Sequence, residues 1–132
     1  MPKDYKYFTL EEFTCKCGCG KNHIDENLIV LLDKIRQHCG FPFVINSGYR
    51  CPAHNKSVGS TSQNHTSGKA ADIEIPGDRS RHKIIKHSLM FGIDRIGIYA
   101  GFIHLDIMDL PPAIWLQPFE TGEKKWHTRA IK

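Results

Sequence analysis

The most restrictive feature of this sequence is a pair of apolar segments, residues 93–99 and 102–108, separated only by Ala100-Gly101. Two strand-like segments joined by two residues predict a β-hairpin, and the short loop fixes the strand register. That register gives three facing pairs: Tyr99 with Phe102, Gly97 with His104, and Arg95 with Asp106. Since side chains alternate along a strand, Phe102, His104 and Asp106 are expected on one face. The chain is therefore expected to contain an antiparallel sheet.

Two further strands are predicted before the hairpin. Residues 43–46 form a short β-branched segment that ends at Ser47-Gly48. Residues 70–75 alternate, which puts Asp72 and Glu74 on one face and Ile73 and Ile75 on the other. The tail from residue 111 shows no clear period, so we expect it to be mostly irregular, with a last strand around 125–130.

Three helices are predicted, each between a plausible start and a glycine that ends it. The first covers residues 26–39, from the N-cap Asp25 to Gly40. The second is short, residues 52–58, with Pro52 in its first turn and Gly59 after it. The third covers residues 79–91 and is capped by Asp78 or Ser80; its inward side chains are expected to be Ile84, Ile85 and Leu89.

Length and composition favour one soluble domain over residues 1–132. The chain is 40% hydrophobic and 24% charged, as in globular proteins, and no apolar run reaches the roughly 18 residues that a membrane span needs. The formal net charge of +4 is dispersed, which argues against a nucleic-acid partner but leaves open attraction to an anionic cell-wall polymer. The N-terminus lacks the apolar core of a secretory signal, so we expect either cytoplasmic synthesis or a signal that is not part of this sequence.

Five cysteines, an odd number, exclude an internal disulfide framework that uses them all. Cys15, Cys17 and Cys19, with His23 nearby, could form a metal knuckle. Structural zinc sites usually separate paired cysteines by two to four residues, however, and this spacing fits poorly. Free thiols or one disulfide in a glycine-rich loop are the favoured interpretation.

A candidate metal site combines His65 at the end of a turn-rich loop, Asp72 on the following strand and His104 on the hairpin. Two imidazoles and one carboxylate can hold zinc and leave a fourth position open, as catalytic zinc sites do. Spacing alone carries little weight in a chain with eight histidines. The competing interpretation is that the histidines are polar strand or surface residues and that Asp72 caps a turn.

Several motifs, in order, carry a resemblance to a known family. They are Ser47-Gly-Tyr-Arg50, Asn55, Val58-Gly59, His65 followed by Gly68 and Ala70-Ala-Asp-Ile73, Asp94-Arg-Ile-Gly-Ile-Tyr99, and Phe102-Ile-His-Leu-Asp-Ile107. Over residues 8–108 the chain resembles the peptidase M15 family, the zinc D-Ala-D-Ala carboxypeptidases and related peptidoglycan peptidases, whose fold is shared with the hedgehog signalling domain. The tail, 109–132, is not covered.

The resemblance implies an α+β fold, with a small, mostly antiparallel sheet and packed helices. It also implies one catalytic Zn²⁺ bound by His65, Asp72 and His104, with Arg50 steadying the carbonyl or carboxylate of the substrate. A guanidinium suits that role because its planar fork of donors matches a carboxylate or a developing oxyanion. The competing interpretation of Arg50 is an exposed arginine after a turn.

The general base is where this sequence departs from the family pattern. Many relatives have an acidic residue or a histidine two or three positions before the last zinc ligand, where this chain has Phe102 and Gly101. Asp106 is the favoured substitute, since it lies close enough to reach water on the metal or to support His104, although it could instead only pair with Arg95. Asp94, Glu74, or no acidic base at all are the alternatives.

Other polar residues near these motifs are candidates for substrate binding. Ser62, Gln63 and Asn64 precede the first ligand and can bind a peptide backbone or simply form a turn. Tyr99, like Tyr49, can donate a hydrogen bond to substrate or pack on the sheet. Of these, Gln63 and Tyr99 join Arg50 in the predicted substrate site.

Two functions from different classes follow. The first is a zinc metallopeptidase that hydrolyses an amide next to a D-amino acid in peptidoglycan stem peptides, as carboxypeptidase or endopeptidase, and acts at the cell wall in the manner of a phage or prophage lysis enzyme. The second is a non-catalytic, zinc-containing binding module of the same fold, favoured by the missing upstream base. Nothing in the sequence indicates the oligomeric state.

Overall fold

The computed structural model describes residues 5–117. After a short 3-10 helix, Leu10–Phe13, the described residues form three helices and five strands. The helices are α1 (Glu26–Cys39), α2 (Pro52–Ser57) and α3 (Asp78–Met90). The strands are β1 (Ile45–Ser47), β2 (Ala70–Glu74), β3 (Arg95–Ile98), β4 (Phe102–Asp106) and β5 (Ala113–Leu116). Within the described part of the chain, no helix is long and apolar enough to cross a membrane.

The five strands form one sheet in the order β1-β2-β4-β3-β5, antiparallel except for the β3–β5 pair. The predicted α+β class is therefore confirmed. The hairpin register is confirmed as well, because Arg95 faces Asp106 and Gly97 faces His104. In addition, β2 pairs with β4 so that Asp72 faces His104. Two strands from distant parts of the sequence thus bring an acid and an imidazole side by side.

The prediction of a mostly irregular tail was wrong for residues 113–116, which form β5 along β3. This edge strand follows Pro111-Pro112, and three of its four residues are exposed. Its sequence therefore lacks the alternation of apolar and polar residues by which a half-buried strand is recognised. The strand predicted around 125–130 lies outside the described residues.

Helix α1 begins and ends as predicted. The carboxylate of Asp25 accepts a hydrogen bond from the backbone N–H of Asn27, and Gly40 ends the helix in the left-handed conformation, with φ of 80°. This cap and this glycine satisfy backbone groups that a helix leaves unpaired at its two ends. The result is a well-defined helix that buries Leu28, Leu32 and Ile35.

Three local predictions need correction. Gly77, rather than Asp78 or Ser80, is the N-cap of α3, and no side chain caps that end. Leu89 is 46% exposed, because the buried positions of the helix, Ile84 and Ser88, are one turn apart and leave Leu89 on the outer side. Strand β1 is Ile45–Ser47, so it starts two residues later and ends one residue later than predicted, and its pairing with β2 is irregular between Ile45 and Ser47.

The sheet has two chemically different faces. Alternate residues of β2, β3 and β4 are apolar and pack with the helices in one core, which includes Ala71, Ile73, Ile96, Ile103 and Leu105. The residues between them include the buried polar side chains of Asp72, His104 and Asp106. Because side chains alternate along each strand, one face of the sheet packs against the helices and the opposite face carries the candidate-site residues.

One glycine allows the segment before β2 to approach the N-terminal part of the chain. Gly68 has φ of 78°, and a Cβ at this position would lie 2.0 Å from the carbonyl oxygen of His23. Its own carbonyl accepts a hydrogen bond from the N–H of Asp25, at 2.7 Å. Only glycine fits both the backbone conformation and the space. This contact anchors the loop that carries His65.

Candidate metal centre

The three predicted metal ligands lie together on the polar face of the sheet. Asp72 is in the middle of β2, opposite His104 in β4. His65 comes from a tight turn in which the N–H of Ser67 bonds to the carbonyl of Gln63, and the N–H of Gly68 bonds to that of His65. All three side chains are buried, each no more than 8% exposed. Two central strands and one turn thus hold the cluster.

The distances fit a single small cation. One oxygen of Asp72, Oδ1, lies 3.2 Å from Nε2 of His65 and 3.0 Å from Nδ1 of His104. Ligands bound tetrahedrally at the usual zinc distances are separated by about 3.3 Å. The donor set, two imidazole nitrogens and one carboxylate oxygen, is also one that zinc uses in proteins. The residues therefore fit the metal that the resemblance implies.

The remaining hydrogen bonds of the histidines determine where their protons lie. Nδ1 of His65 is 2.8 Å from the carbonyl oxygen of Gly48, an acceptor, so this nitrogen carries the proton. Nε2 of His104 is 2.8 Å from Oδ2 of Asp106, so it donates to that carboxylate. The two other ring nitrogens both face Oδ1 of Asp72. Lone pairs that converge on a carboxylate oxygen need a cation between them, either a metal ion or added protons.

Asp106 contacts His104 and Arg95 together. Besides the bond to His104, its Oδ1 accepts hydrogen bonds from Nε of Arg95, at 2.7 Å, and from the N–H of Met108, at 3.1 Å. The Asp106 side chain is fully buried. The Asp106 carboxylate lies on the side of the imidazole away from Asp72. Its contacts match two of the roles considered for it, support of His104 and pairing with Arg95. A carboxylate in this position orients the ring and raises its basicity.

The charges of the cluster support one another. Burial alone would raise the pKa of Asp72, but hydrogen bonds from His104 and His65 lower that pKa to about 2. Burial would lower the pKa of His104, but hydrogen bonds to Asp106 and Asp72 raise it. Burial likewise opposes ionisation of Asp106, whereas bonds from His104 and Arg95 lower its pKa. Both carboxylates are thus ionised near neutral pH and attract a cation.

Arg50 lies beside the three candidate ligands, with a side chain that is 16% exposed. Its Nε donates to Oγ of Ser47 at 3.0 Å, and its Nη1 donates to Oδ1 of Asn55 at 3.2 Å. Its Nη2 lies 3.4 Å from Oδ2 of Asp72, the oxygen that does not face the histidines. The guanidinium is therefore held by strand β1, helix α2 and strand β2. Asn55, noted in the sequence only as part of a motif, is one of the residues that fix it.

A cavity of about 520 Å³ opens over the cluster. Its lining combines the three candidate ligands with the following residues: Arg50, Val58, Gly59, Ser60, Ser62, Asn64, Arg95, Tyr99, Phe102 and Trp115. Asp72 is the only acid among these described residues. Asp94 and Glu74, the other candidate bases, are exposed and do not line the cavity.

The predicted substrate residues divide into two groups. Arg50 and Tyr99 line the cavity, and the ring of Tyr99 is stacked on Phe102 with centroids 4.3 Å apart. Gln63 does not line it, because its side-chain oxygen accepts a hydrogen bond from the hydroxyl of Thr66, at 2.9 Å, within the turn. Its neighbours Ser62 and Asn64 do line the cavity. The buried Tyr49 packs against Cys15 and Cys51 instead.

Trp115 is a cavity residue that the sequence analysis missed. Its ring lies 5.2 Å from that of His104, and its Nε1 donates to the hydroxyl of Tyr99 at 3.3 Å. A Cβ on Gly97 would approach the Trp115 ring to 2.6 Å, so glycine provides the space for it. The sequence held one indication of this role. Trp115 lies in an apolar segment, and the strand that pairs with it, β3, has Gly97 opposite His104.

An α+β sheet that carries a buried His/Asp/His cluster beneath an open cavity defines a candidate site for a metal-dependent hydrolase. A family model for peptidase M15 matches residues 6–106, most of the chain, and the chain belongs to this family. The family implies a peptidase that acts on a peptide substrate. A search among curated proteins finds no match to this chain.

Proposed function

We propose that this protein is a zinc-dependent peptidase that hydrolyses an amide bond next to a D-amino acid in peptidoglycan stem peptides. The observation that carries the proposal is the convergence of two ring nitrogens, Nε2 of His65 and Nδ1 of His104, on Oδ1 of Asp72. On this proposal the three side chains bind one Zn²⁺, and the enzyme acts at the cell wall, as a phage or prophage lysis enzyme does.

The chemistry is divided between the ion and the chain. A bound divalent ion would lower the pKa of a water molecule and polarise the carbonyl of the scissile amide. Arg50 is already held by Ser47 and Asn55, so it can stabilise negative charge on that carbonyl with little rearrangement. The same guanidinium can bind the terminal carboxylate of a substrate through paired hydrogen bonds.

Two aromatic residues give the cavity its substrate-binding character. The hydroxyl of Tyr99 accepts a hydrogen bond from Trp115, which leaves its own proton free to be donated to a substrate carbonyl. Phe102, stacked beneath Tyr99, adds an apolar surface. We propose that Arg50 and Tyr99 bind the peptide, and that Asn64, which lines the cavity, takes the place first considered for Gln63.

In this account Asp106 is a positioning residue. Its hydrogen bond to Nε2 of His104 keeps Nδ1 unprotonated towards Asp72, which is the tautomer that a metal ligand requires. Because Asp106 is fully buried and already paired with Arg95, it is poorly placed to take a proton from a reacting water. No second acid lines the described cavity, so the proton is transferred by another route, such as solvent.

The absence of a second acid among the lining residues also favours one alternative, a zinc-containing binding module without catalysis. Such a module would use the same cavity and Arg50 to hold a stem peptide. The two functions differ in whether a covalent bond of the ligand is broken.

Mass spectrometry of defined stem peptides separates the alternatives. The zinc-loaded protein is incubated with a pentapeptide that ends in D-Ala-D-Ala and with the same peptide ending in L-Ala-L-Ala. Loss of one alanine from the first peptide alone would indicate a carboxypeptidase, and scission within the stem an endopeptidase. His104→Ala should abolish cleavage, while His82→Ala, on the exposed side of α3, should not. Intact peptides with zinc bound would reject the catalytic proposal for these substrates.

A further inference from the structure

We propose that Cys15, Cys17, Cys19 and Cys51 form a second metal site, which binds one Zn²⁺ through four thiolates and serves a structural purpose. These four cysteines are brought together although Cys51 lies more than thirty residues from the others in the sequence. Their sulfur atoms all lie within 4.8 Å of one another. The inference rests on this cluster and is independent of the catalytic proposal.

The sulfur separations match a tetrahedral zinc site. Sγ of Cys17 lies 3.5 Å from that of Cys15 and 3.7 Å from that of Cys51. Sulfurs bound at the usual Zn–S distance of about 2.3 Å in a tetrahedron are separated by about 3.8 Å. A disulfide would require about 2.05 Å. The spacing therefore favours four ligands around an ion over two covalent pairs.

Backbone amides already solvate three of the four sulfurs. The N–H of Cys51 donates to Sγ of Cys15 at 3.3 Å, and the N–H of His54 donates to Sγ of Cys51 at 3.4 Å. The N–H of Lys21 donates to Sγ of Cys19, also at 3.4 Å. Such bonds stabilise the negative charge of thiolates and orient them towards an ion. Four neutral thiols would gain much less from the same arrangement.

The backbone around the cluster resembles a ligand loop. Gly18 and Gly20 have φ of 89° and 78°, which lets the chain turn sharply between and after the cysteines. The N–H of Cys15 closes the loop on the carbonyl of Lys21, at 3.0 Å. Cys15 and Cys51 are buried and the other two are exposed. An ion could enter from the exposed side and be enclosed by all four sulfurs.

The location of the cluster indicates its purpose. Cys51 directly follows Arg50, the arginine of the candidate catalytic cavity, and an ion would tie this segment to the N-terminal loop. The N–H of Tyr49 already bonds to the carbonyl of Phe13 at 2.9 Å, so the two segments are neighbours. Four protein ligands leave no open position, as is typical of structural zinc sites. The ion would therefore stabilise the Arg50 segment without taking part in hydrolysis.

Metal counting on protein purified under reducing conditions and saturated with zinc tests the proposal. Two ions per chain are expected in the wild type, and one each in Cys19→Ser and in His104→Ala, which lose different ions. Cys39→Ser is the matched control, because Cys39 lies outside the cluster, and it should retain two. Because Cys19 is exposed, its replacement should leave the fold intact, which circular dichroism can verify.

Cobalt substitution identifies the ligands. Near-ultraviolet thiolate-to-cobalt charge transfer should be strong in the wild type and in His104→Ala, and should fall several-fold in Cys19→Ser. Equal zinc content in the wild type and Cys19→Ser would overturn the proposal. An intact mass reduced by the hydrogens of two disulfides, in protein purified with reductant, would overturn it too. Neither result would bear on the His65, Asp72 and His104 site, which His104→Ala tests separately.

Discussion

Nε2 of His104 lies 2.8 Å from Oδ2 of Asp106, on the side of the ring opposite the nitrogen that faces Asp72. The two carboxylates thus sit at opposite ends of one imidazole. Asp72 is placed to share a cation with it, and Asp106 fixes which nitrogen carries the proton. This relationship assigns different roles to two acids that the sequence places on neighbouring strands.

Asp106→Asn should weaken metal binding. The amide keeps the shape of the side chain but loses the charge that favours the required tautomer of His104, so zinc affinity should fall by about 10- to 100-fold. Competition with a chromogenic chelator measures this, with the exposed Asp94→Asn as control. Unchanged zinc affinity combined with lost hydrolysis would instead make Asp106 a catalytic base.

Arg50→Lys should impair catalysis while leaving the metal in place. Lysine keeps a positive charge but cannot reproduce the fork that bonds to Ser47, Asn55 and a substrate oxygen, so kcat should fall by about 100-fold or more. Steady-state kinetics with zinc content measured in parallel provide the test, and the exposed Arg79→Lys is the control. A normal kcat in Arg50→Lys would remove Arg50 from the mechanism.

The stability of the metal-free protein should depend on pH in a defined way. The pKa of Asp72 is lowered to about 2 from its usual 3.8, so its contribution, about 2 kcal/mol, is present above 3.8 and is lost as pH falls towards 2. The pKa of His104 is raised above 6.5, so its contribution is present below 6.5 and is lost as pH rises through the raised value. Stability should therefore be greatest between these limits.

Urea unfolding of chelator-treated protein across this range measures the effect. Asp72→Asn should reduce the loss of unfolding free energy at both acid and alkaline pH, because it removes one charge from the pair. With zinc present, the unfolding free energy should instead rise towards alkaline pH, since metal binding requires neutral imidazoles and strengthens as protons are lost. A metal-free wild type whose unfolding free energy is as large well above neutrality as at about pH 5 would contradict the charged pair.

Gly68→Ala should destabilise the protein far more than Gly40→Ala. Both glycines have φ close to 80°, but a Cβ at Gly68 meets the carbonyl oxygen of His23 at 2.0 Å whereas one at Gly40 meets nothing within 4 Å. Gly40→Ala should cost about 1 kcal/mol of backbone strain, and Gly68→Ala several kcal/mol because the loop before β2 must also move. Chemical denaturation of both variants gives the comparison, and equal losses would show that strain alone matters.

The hairpin shows how much could be predicted from the sequence. A two-residue loop determines strand pairing locally, so Gly97 opposite His104 followed from the residues alone. The proximity of Asp72 to His104 depends on β2 pairing with β4, and His65 joins them through a turn; for these the family motifs supplied what local pattern could not. The bounds of β1 were harder to predict: the strand starts two residues and ends one residue later than expected, and its pairing with β2 is irregular.

Residues that meet through tertiary contacts alone were missed. Trp115 belongs to an exposed edge strand whose place beside β3 leaves no local signature, yet its ring contacts His104. Cys51 was counted among five cysteines, but its approach to Cys15 and Cys17 depends on the contact between Phe13 and Tyr49. In both cases the residue type suggested a role, but the sequence did not show which residues it would contact.

The most direct test of the central claim measures hydrolysis while metal is removed and returned. A stem peptide is incubated with wild-type protein treated with a chelator, and zinc is then added in increments, alongside His65→Ala and the exposed control His82→Ala. We predict that activity disappears with the chelator, returns with zinc in the wild type and in His82→Ala, and never appears in His65→Ala. Hydrolysis that persists without metal, or that survives in His65→Ala, would contradict a peptidase built on His65, Asp72 and His104.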